Sequence, residues 1–532
     1  MKSKEFEPNI IVFACTWCSY AGADLAGVSR LQYPPNVKIN RIMCTGRMNP
    51  SILFNAFLHG ADGVLLCGCH FGDCHYISGN DKADVMSKQA KELLDIVGIG
   101  RERYEFEQIS AAEGPKFAAT MTGFTQRIKE LGPNPLVRAR STEHGARKDF
   151  DEILRDSRAY HCYQCSQCTG GCPVSRTRTA YNPRKEMRRL LVGQEEKVIE
   201  NLELWSCLTC GLCNSRCPHD VDLVGFVKEM RAKACETGKC GQPSHDGLMQ
   251  KLIAVQIASK KQDRTSWIEE YHLHPVGASG LRLKTAKKGE YLYFTGCLPY
   301  FETVFSENGS RPLQIARDTV KILNKLGITP VVSNQEKCCG HDALYSGDFP
   351  TFMSLAEQNL KMIKKTGAKK VVFSCPECFH AFRDEYPKEL GSLPFEPVHL
   401  LQLLAERLGS NGLALNTIQG KVTFQDPCRL GRFSGLYEEP RQVMKSIPGL
   451  NLVEMEKNRV DSLCCSSTGW TNCFNCSKRL QLERLSEAKA TGADTLVTAC
   501  PKCQIHLSCA QEKDEEKITI KDITNLVAEA IS

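Results

Sequence analysis

KKVVFSCPEC (residues 369–378) and DTLVTACPKC (residues 494–503) are two copies of one pattern. Each starts with a short β-branched run, which suits a strand, and breaks at Cys-Pro-x-Cys, where proline suits the first turn of a helix. Each copy therefore reads as a strand running into a helix, with two cysteines at the junction. Upstream of each lies an adjacent cysteine pair, KCCG (337–340) and LCCS (463–466). Further upstream a cysteine closes an earlier apolar run, in FTGC (294–297) and FQDPC (424–428). Corresponding cysteines lie 125 to 131 residues apart. This is an internal duplication. It predicts two similar α/β lobes, residues 291–408 and 421–532, with Gly409–Lys421 between them.

The remaining chain is organised around further cysteines, 29 among 532 residues. At about 150 residues per domain, the length suggests three or four domains. The net charge of +7 is small for this length and does not argue for nucleic acid. No stretch approaches the ~18 apolar residues of a membrane span. The first residues lack the cleavage site of a signal peptide, so a cytoplasmic location is expected. Disulfide scaffolds are small and secreted; thiols in a long cytoplasmic chain are expected as ligands for iron–sulfur clusters or zinc.

Cys162, Cys165, Cys168 and Cys172-Pro173 are followed by Cys207, Cys210, Cys213 and Cys217-Pro218 at the same spacing. Three cysteines at two-residue gaps wrap one corner of a cubane, and in two-cluster ferredoxins the fourth ligates the other cluster. The expected sets are Cys162, Cys165, Cys168 and Cys217, and Cys207, Cys210, Cys213 and Cys172. Zinc sites more often pair two C-x-x-C elements. Residues 151–240 are expected as a helical domain with two [4Fe–4S] clusters, after a polar linker at 134–150 and before a connector at 241–290. Between the runs, Arg184, Lys185, Arg188 and Arg189 read as a solvated helix face paired with Glu186 and Glu195, or as a docking face for an acidic partner.

Residues 1–133 show apolar runs at Asn9–Thr16, Val37–Thr45, Gly63–His70 and, weakly, Tyr104–Ser110, with helical patterns between and after them. This alternation predicts a small parallel-sheet α/β domain. Cys15, Cys44 and Cys67/Cys69 close three of the runs, so residues distant in sequence are expected to converge at the carboxyl ends of strands. The whole is read as a multidomain α/β plus α protein.

These motifs carry three resemblances. CTWCSYAGADLAGVSRLQYP, MCTGR and GCHFGDCHYISGN resemble the delta subunit of methyl-viologen-reducing hydrogenase. That resemblance implies one [2Fe–2S] cluster drawn from Cys15, Cys18, Cys44, Cys69 and Cys74; four suffice, and which is spare stays open. YNPRKEMRRLLVGQEEKV and LWSCLTCGLCNSRCPHDVDL resemble the C subunit of heterodisulfide reductase. The duplicated half resembles the CCG domains of its B subunit and of the fused D subunit. This implies two non-cubane [4Fe–4S] clusters, held by Cys297, Cys338, Cys339, Cys375 and Cys378, and by Cys428, Cys464, Cys465, Cys500 and Cys503. Ser466 departs from CCG, and the permissive glycine of the first copy, Gly340, has no counterpart there.

Taken together, the resemblances imply an iron–sulfur subunit of an oxidoreductase. It would relay electrons from a flavin, hydrogenase or formate or other dehydrogenase partner to a disulfide, within an electron-bifurcating complex that includes an A-type flavoprotein. The chain has no Rossmann GxGxxG and no P-loop of its own. Two alternatives are a conduit feeding another enzyme, supported by Ser466, and the iron–sulfur subunit of a membrane-associated glycerol-phosphate or glycolate dehydrogenase. Cys473 and Cys476 read as plain thiols or alternative ligands. Cys67, Cys235, Cys240 and Cys509 read as structural, and Trp17 and Tyr20 as packing residues. His341 and His399 read as ordinary polar residues or proton donors, and His70 and His75 as surface residues or cluster hydrogen-bond donors. Lys337, Lys369, Lys370 and Lys502 read as contacts for an anionic substrate or as surface lysines.

Overall fold

The structure is a computed structural model that describes residues 6–136, 148–259, 261–273, 282–409, 413–471, 473 and 475–531. Most of the expected linker, and the side chain of Cys476, lie outside the described residues. The chain divides into two compact units. One comprises Met1–Arg140 and His245–Asp263, the other Ser141–Ser244 and Arg264–Ser532.

The first unit is built on a parallel sheet of β1 (Ile10–Cys15), β2 (Val37–Ile42), β3 (Gly63–Gly68) and β4 (Tyr104–Gln108), in the order β2-β1-β3-β4. GVLLCG is buried along its whole length as β3, because an interior parallel strand is covered on both faces. VKINRI forms the edge and stays half-exposed. Helices Ser19–Val28 and Gly114–Leu131 place Ala23, Ala26, Phe117, Met121, Phe124 and Ile128 against Ile10, Val12 and Leu65. Cys67 belongs to this core, and burial pushes its thiol up. Helix Leu248–Ala258, from the segment expected as a connector, packs on helix Pro50–Leu58 of this unit. Asn49 and Ser51 donate to the side chain and carbonyl of Asp246, at 3.0 and 2.6 Å. The Ser259 hydroxyl donates to the Val97 carbonyl at 2.5 Å.

In the second unit the duplicated half forms two parallel sheets. The first orders β5 (Tyr291–Phe294), β6 (Lys370–Phe373) and β7 (Glu396–His399), with Val331 bridging Leu292 on β5. The second comprises β8 (Gly420–Gln425), β9 (Leu450–Leu452), β10 (Thr495–Thr498) and β11 (Thr519–Asp522), in the order β9-β8-β10-β11. Counting Val331 as a rudimentary second strand, all three sheets share the order 2-1-3-4. In such parallel sheets the order in which strands are added reverses between strands 1 and 3, and a crevice opens at their carboxyl ends. Cys15 and Cys69 lie there in the first unit, as do Cys297 and Cys375, and Cys428 and Cys500, in the two lobes.

The lobes also bury carboxyl groups. Asp522 caps helix Ile523–Ala530 by accepting from the Thr524 amide at 2.9 Å, and its second oxygen has no partner. Burial, followed by the nearby Asp318, raises its pKa to about 7. The native state therefore holds a proton that the unfolded state releases near the ordinary carboxylate pKa of about 3.9. This contribution to stability is full below that pH and is lost as pH rises through about 7. Asp522→Asn keeps the cap acceptor and removes the titration. It is expected to flatten the fall in unfolding midpoint between about pH 4 and 7; an unchanged slope would count against it.

Candidate iron–sulfur sites

In the first unit, the sulfurs of Cys15, Cys18 and Cys69 lie within 4.8 Å of one another, with Cys15 and Cys69 4.0 Å apart. The Cys18 thiol, hydrogen-bonded to Cys15, holds the Cys15 pKa down at about 6. Cys44 and Cys74 form an adjoining pair, both against Gly79, and Cys44 also feels the charge of Cys15. The five thiols thus gather at one end of the sheet, from three strand ends and one loop. The histidines are engaged elsewhere: His70 bonds Glu113 at 2.7 Å, and His75 stacks on Trp17 at 3.7 Å. Trp17 is 47% exposed, so it is no core residue. It sits in the turn beyond β1, its ring stacked on His75. Tyr20 carries the Arg41 guanidinium over its ring.

The two ferredoxin runs wind in the same way. Gln164 and Ser166 in one, and Thr209 and Gly211 in the other, all take positive φ at matching positions. These left-handed residues curl each run so that its three thiols face one centre. Cys162, Cys165, Cys168 and Cys217 line a single cavity with Arg184. Cys172 lies instead with Cys207 and Cys210, whose charges it feels, and burial pushes its thiol up to about 12. Arg189 pairs with Glu186 at 3.1 Å, whereas Arg184 faces the cavity rather than bulk solvent.

In the first lobe, thiol contacts run Cys297–Cys338–Cys339–Cys378–Cys375. All five line one cavity with Asp342, Glu377 and Lys502. The second lobe repeats the order, Cys428–Cys464–Cys465–Cys503–Cys500. There the hydrogen bond from Cys464 holds the Cys465 pKa at about 6. Cys500 also feels the charge of Cys375, so the two CCG sites adjoin.

Gly340 has φ +81 and Ser466 has φ +64, so the serine keeps the left-handed turn after the cysteine pair. A non-glycine residue there bears a cost of about 1–2 kcal/mol. Ser466→Gly is therefore expected to stabilise the chain by about 1 kcal/mol, read as a higher denaturant midpoint. A lower midpoint would show that the weak Ser466–Cys464 carbonyl contact (3.3 Å) outweighs the strain.

Lys502 joins the lobes. Its ammonium lies between the Asp342 and Glu377 carboxylates, 2.7 Å from the latter, with its side chain 3% exposed. Trp470 donates to the other Asp342 oxygen at 3.1 Å. His341 accepts on Nε2 from Arg429 at 2.9 Å, which leaves Nδ1 as the protonated nitrogen, 3.5 Å from Glu377. Lys502 is thus an internal counter-ion. Lys337 is buried, and burial with the Arg264 charge lowers its pKa to about 8. Lys369 is exposed, and Lys370 pairs with Glu396. His399 is a core residue against Phe379, its pKa lowered to about 3 by burial. Cys235 and Cys240, read as structural, are bonded to each other. The five-residue spacing carried no recognisable signal. Cys473 is exposed and feels the charge of Cys509. Sequence reasoning missed Arg429 and Asp342, whose contacts come from another lobe.

The donor chemistry tests the cofactor. Each site gathers soft sulfur donors, in direct contact in the CCG lobes, the set that selects iron–sulfur clusters or zinc. Five thiols in contact exceed the four of a tetrahedral zinc site. Comparison with known proteins agrees. Residues 10–132 match the family model for the methyl-viologen-reducing hydrogenase delta subunit. The iron-sulfur D subunit of the F420-non-reducing hydrogenase of Archaeoglobus profundus is 50% identical over 131 residues, 25% of this chain and 96% of that one. The chain belongs to the hydrogenase delta-subunit family. Its delta-subunit domain is joined to a 4Fe-4S dicluster domain at 161–222 and to cysteine-rich CCG domains at 291–383 and 422–508. The D subunit of the dihydromethanophenazine:CoB–CoM heterodisulfide reductase of Methanosarcina barkeri is 29% identical over 402 residues, 70% of this chain and 93% of that one. The B subunit of the CoM/CoB fumarate reductase of Methanothermobacter marburgensis is 26% identical over 392 residues, 70% of this chain and 73% of that one. The chain is thus an iron–sulfur protein homologous to oxidoreductase subunits. Among the described residues no helix is long and apolar enough to cross a membrane.

Proposed function

We propose that this chain is the iron–sulfur subunit of a cytoplasmic heterodisulfide-reductase-like complex that bifurcates electrons. In this reading the delta-subunit domain holds one [2Fe–2S] cluster on four of Cys15, Cys18, Cys44, Cys69 and Cys74. The dicluster domain holds two [4Fe–4S] cubanes on its crossed sets. Each CCG lobe holds a non-cubane [4Fe–4S] cluster on its five cysteines. When bound, these clusters supply one-electron steps and iron sites that take up thiolates. The overall change is one disulfide, two electrons and two protons giving two thiols. The electrons come from a flavoprotein of the A-subunit type or from a hydrogenase or dehydrogenase partner.

One observation carries this reading: ten CCG thiols in two adjoining sites with the same contact order. The chain's own part is to hold the thiols in contact and to balance the two carboxylates beside them with Lys502. The conduit alternative drew on Ser466, yet the backbone there keeps the left-handed turn, which favours an intact second site. Iron and acid-labile sulfide in anaerobically purified protein test the reading. About 18 irons per chain supports five clusters. A reproducible value near 14 leaves one four-iron site empty, defeats two-site disulfide reduction and favours the conduit.

A further inference from the structure

The two CCG lobes are alike in their thiols but differ in the residues after the first cysteine. In the first lobe the sequence after Cys297 is Leu-Pro-Tyr-Phe; after Cys428 it is Arg-Leu-Gly-Arg. Leu298 and Phe301 line the first lobe's own cavity. Their counterparts, Arg429 and Arg432, reach the cysteine loop of the dicluster domain instead. The buried Arg429 guanidinium donates to the Thr209 carbonyl at 2.6 Å and to its hydroxyl at 3.0 Å. Arg432 donates to the Cys210 carbonyl at 2.7 Å and, with its other arm, to the Ser462 carbonyl at 2.8 Å. Thr209 lies between Cys207 and Cys210, and Ser462 lies two residues before Cys464. Phe433 completes the contact, packed so closely on Gly211 that a Cβ there would meet its ring at 2.8 Å. The Cys464 thiol feels the charge of Cys210. The dicluster domain meets the first lobe through helix Leu223–Glu236. There Lys228 pairs with Glu385, and Arg231 spans the Cys207 and Tyr345 carbonyls. Tyr345 is six residues from the nearest first-lobe cysteine, and the closer tie to that lobe, at His341, runs through Arg429 itself, which donates to His341 at 2.9 Å and is bonded directly to Cys428.

We infer that electrons enter the CCG half through its second lobe, across the Cys207–Gly211 loop, and that Arg429 and Arg432 are the positioning residues that seat this loop there. The inference rests on the proposed function, in which both halves hold clusters. One electron leaves the site of Cys172, Cys207, Cys210 and Cys213 and arrives at the site of Cys428, Cys464, Cys465, Cys500 and Cys503. The first site is oxidised and the second reduced by one electron, and no bond is made or broken. The first lobe is then the outer site, reached from the second across the Cys375–Cys500 boundary.

The test is microwave power saturation of the dicluster EPR signals in the reconstituted full chain, partly reduced with dithionite. Dipolar relaxation falls steeply with distance, so the nearer CCG site dominates it. Cys465→Ser with Cys503→Ser empties the second lobe, and Cys339→Ser with Cys378→Ser empties the first. Each pair should lower the iron count by about four. Emptying the second lobe is expected to abolish the fast relaxation, and emptying the first to leave it. The reverse result, or equal effects, overturns the inference while leaving the proposed function in place. Iron counts that fall in neither pair overturn the proposed function, and this inference with it. Arg432→Gln is expected to weaken the relaxation at full iron content and Arg432→Lys to restore part of it. Unchanged relaxation in Arg432→Gln removes Arg432 from the role. If that variant does not fold, the two cysteine pairs decide alone.

Discussion

Lys502→Met is expected to destabilise the chain by about 3–5 kcal/mol, the cost of leaving buried charge without its partner. Burial alone would discharge this lysine, but the Asp342 and Glu377 carboxylates hold its pKa well above the ordinary value. Methionine fills much of the same volume, so packing against Trp470, 5.2 Å from the ammonium, is largely kept. What goes is the charge, and the buried Asp342 and largely buried Glu377 carboxylates then lose their common cation beside five thiols. The measurement is the guanidinium unfolding midpoint of the full chain. Lys502→Met combined with Glu377→Gln should recover part of the loss, because coupled residues deviate from additivity. A loss under about 1 kcal/mol, or no recovery, would mean that the carboxylates are screened by something other than Lys502. The same substitution is expected to reduce iron retention in the first lobe, whose cavity these side chains line.

Gly79→Ala is expected to empty the [2Fe–2S] site proposed for the delta-subunit domain. A Cβ at this position would lie 2.3 Å from the Cys44 sulfur and 3.0 Å from that of Cys74. Gly79 also backs onto Gly46, where an added Cβ would sit 2.7 Å from the Gly79 Cα. Neither partner is the loose end of a long side chain, so the methyl group has no room and the pair must separate. The expected outcome is a loss of about two irons per chain and of the corresponding visible absorption, with the other clusters kept. Gly123→Ala, which meets nothing within 4 Å in the same domain, is the matched control. Full iron content in Gly79→Ala would show that Cys44 and Cys74 are not both needed as ligands.

Much of the architecture is written in short stretches. A strand followed by Cys-Pro-x-Cys depends on β-branched residues and on proline within ten positions, and both copies form the expected strand and helix, β6 and β10 with the helices that come after them. The crossed arrangement of Cys172 and Cys217 was legible for a similar reason. The fourth cysteine of each run, before proline, follows the two-cluster ferredoxin pattern of ligating the other centre, and the structure sets Cys217 with Cys162, Cys165 and Cys168, and Cys172 with Cys207 and Cys210. The weak run at Tyr104 became β4 because a parallel partner was waiting in β3.

The duplication and the plan of α/β and helical parts were legible because each rests on spacing over a few residues. What the charged residues do depends on contacts between distant parts of the chain. Lys502 and Asp342 are 160 positions apart, and Arg429 and Thr209 are 220. No local pattern shows that a lysine between two cysteines is a buried counter-ion, or that an arginine after a cysteine holds another domain's loop. The same holds for the assignment of helix Leu248–Ala258 to the first unit, and for Ser466, whose backbone adopts the turn its lobe imposes. Contacts over such separations depend on how whole lobes pack, and burial then sets the charge and hydrogen bonding of every polar group caught between them.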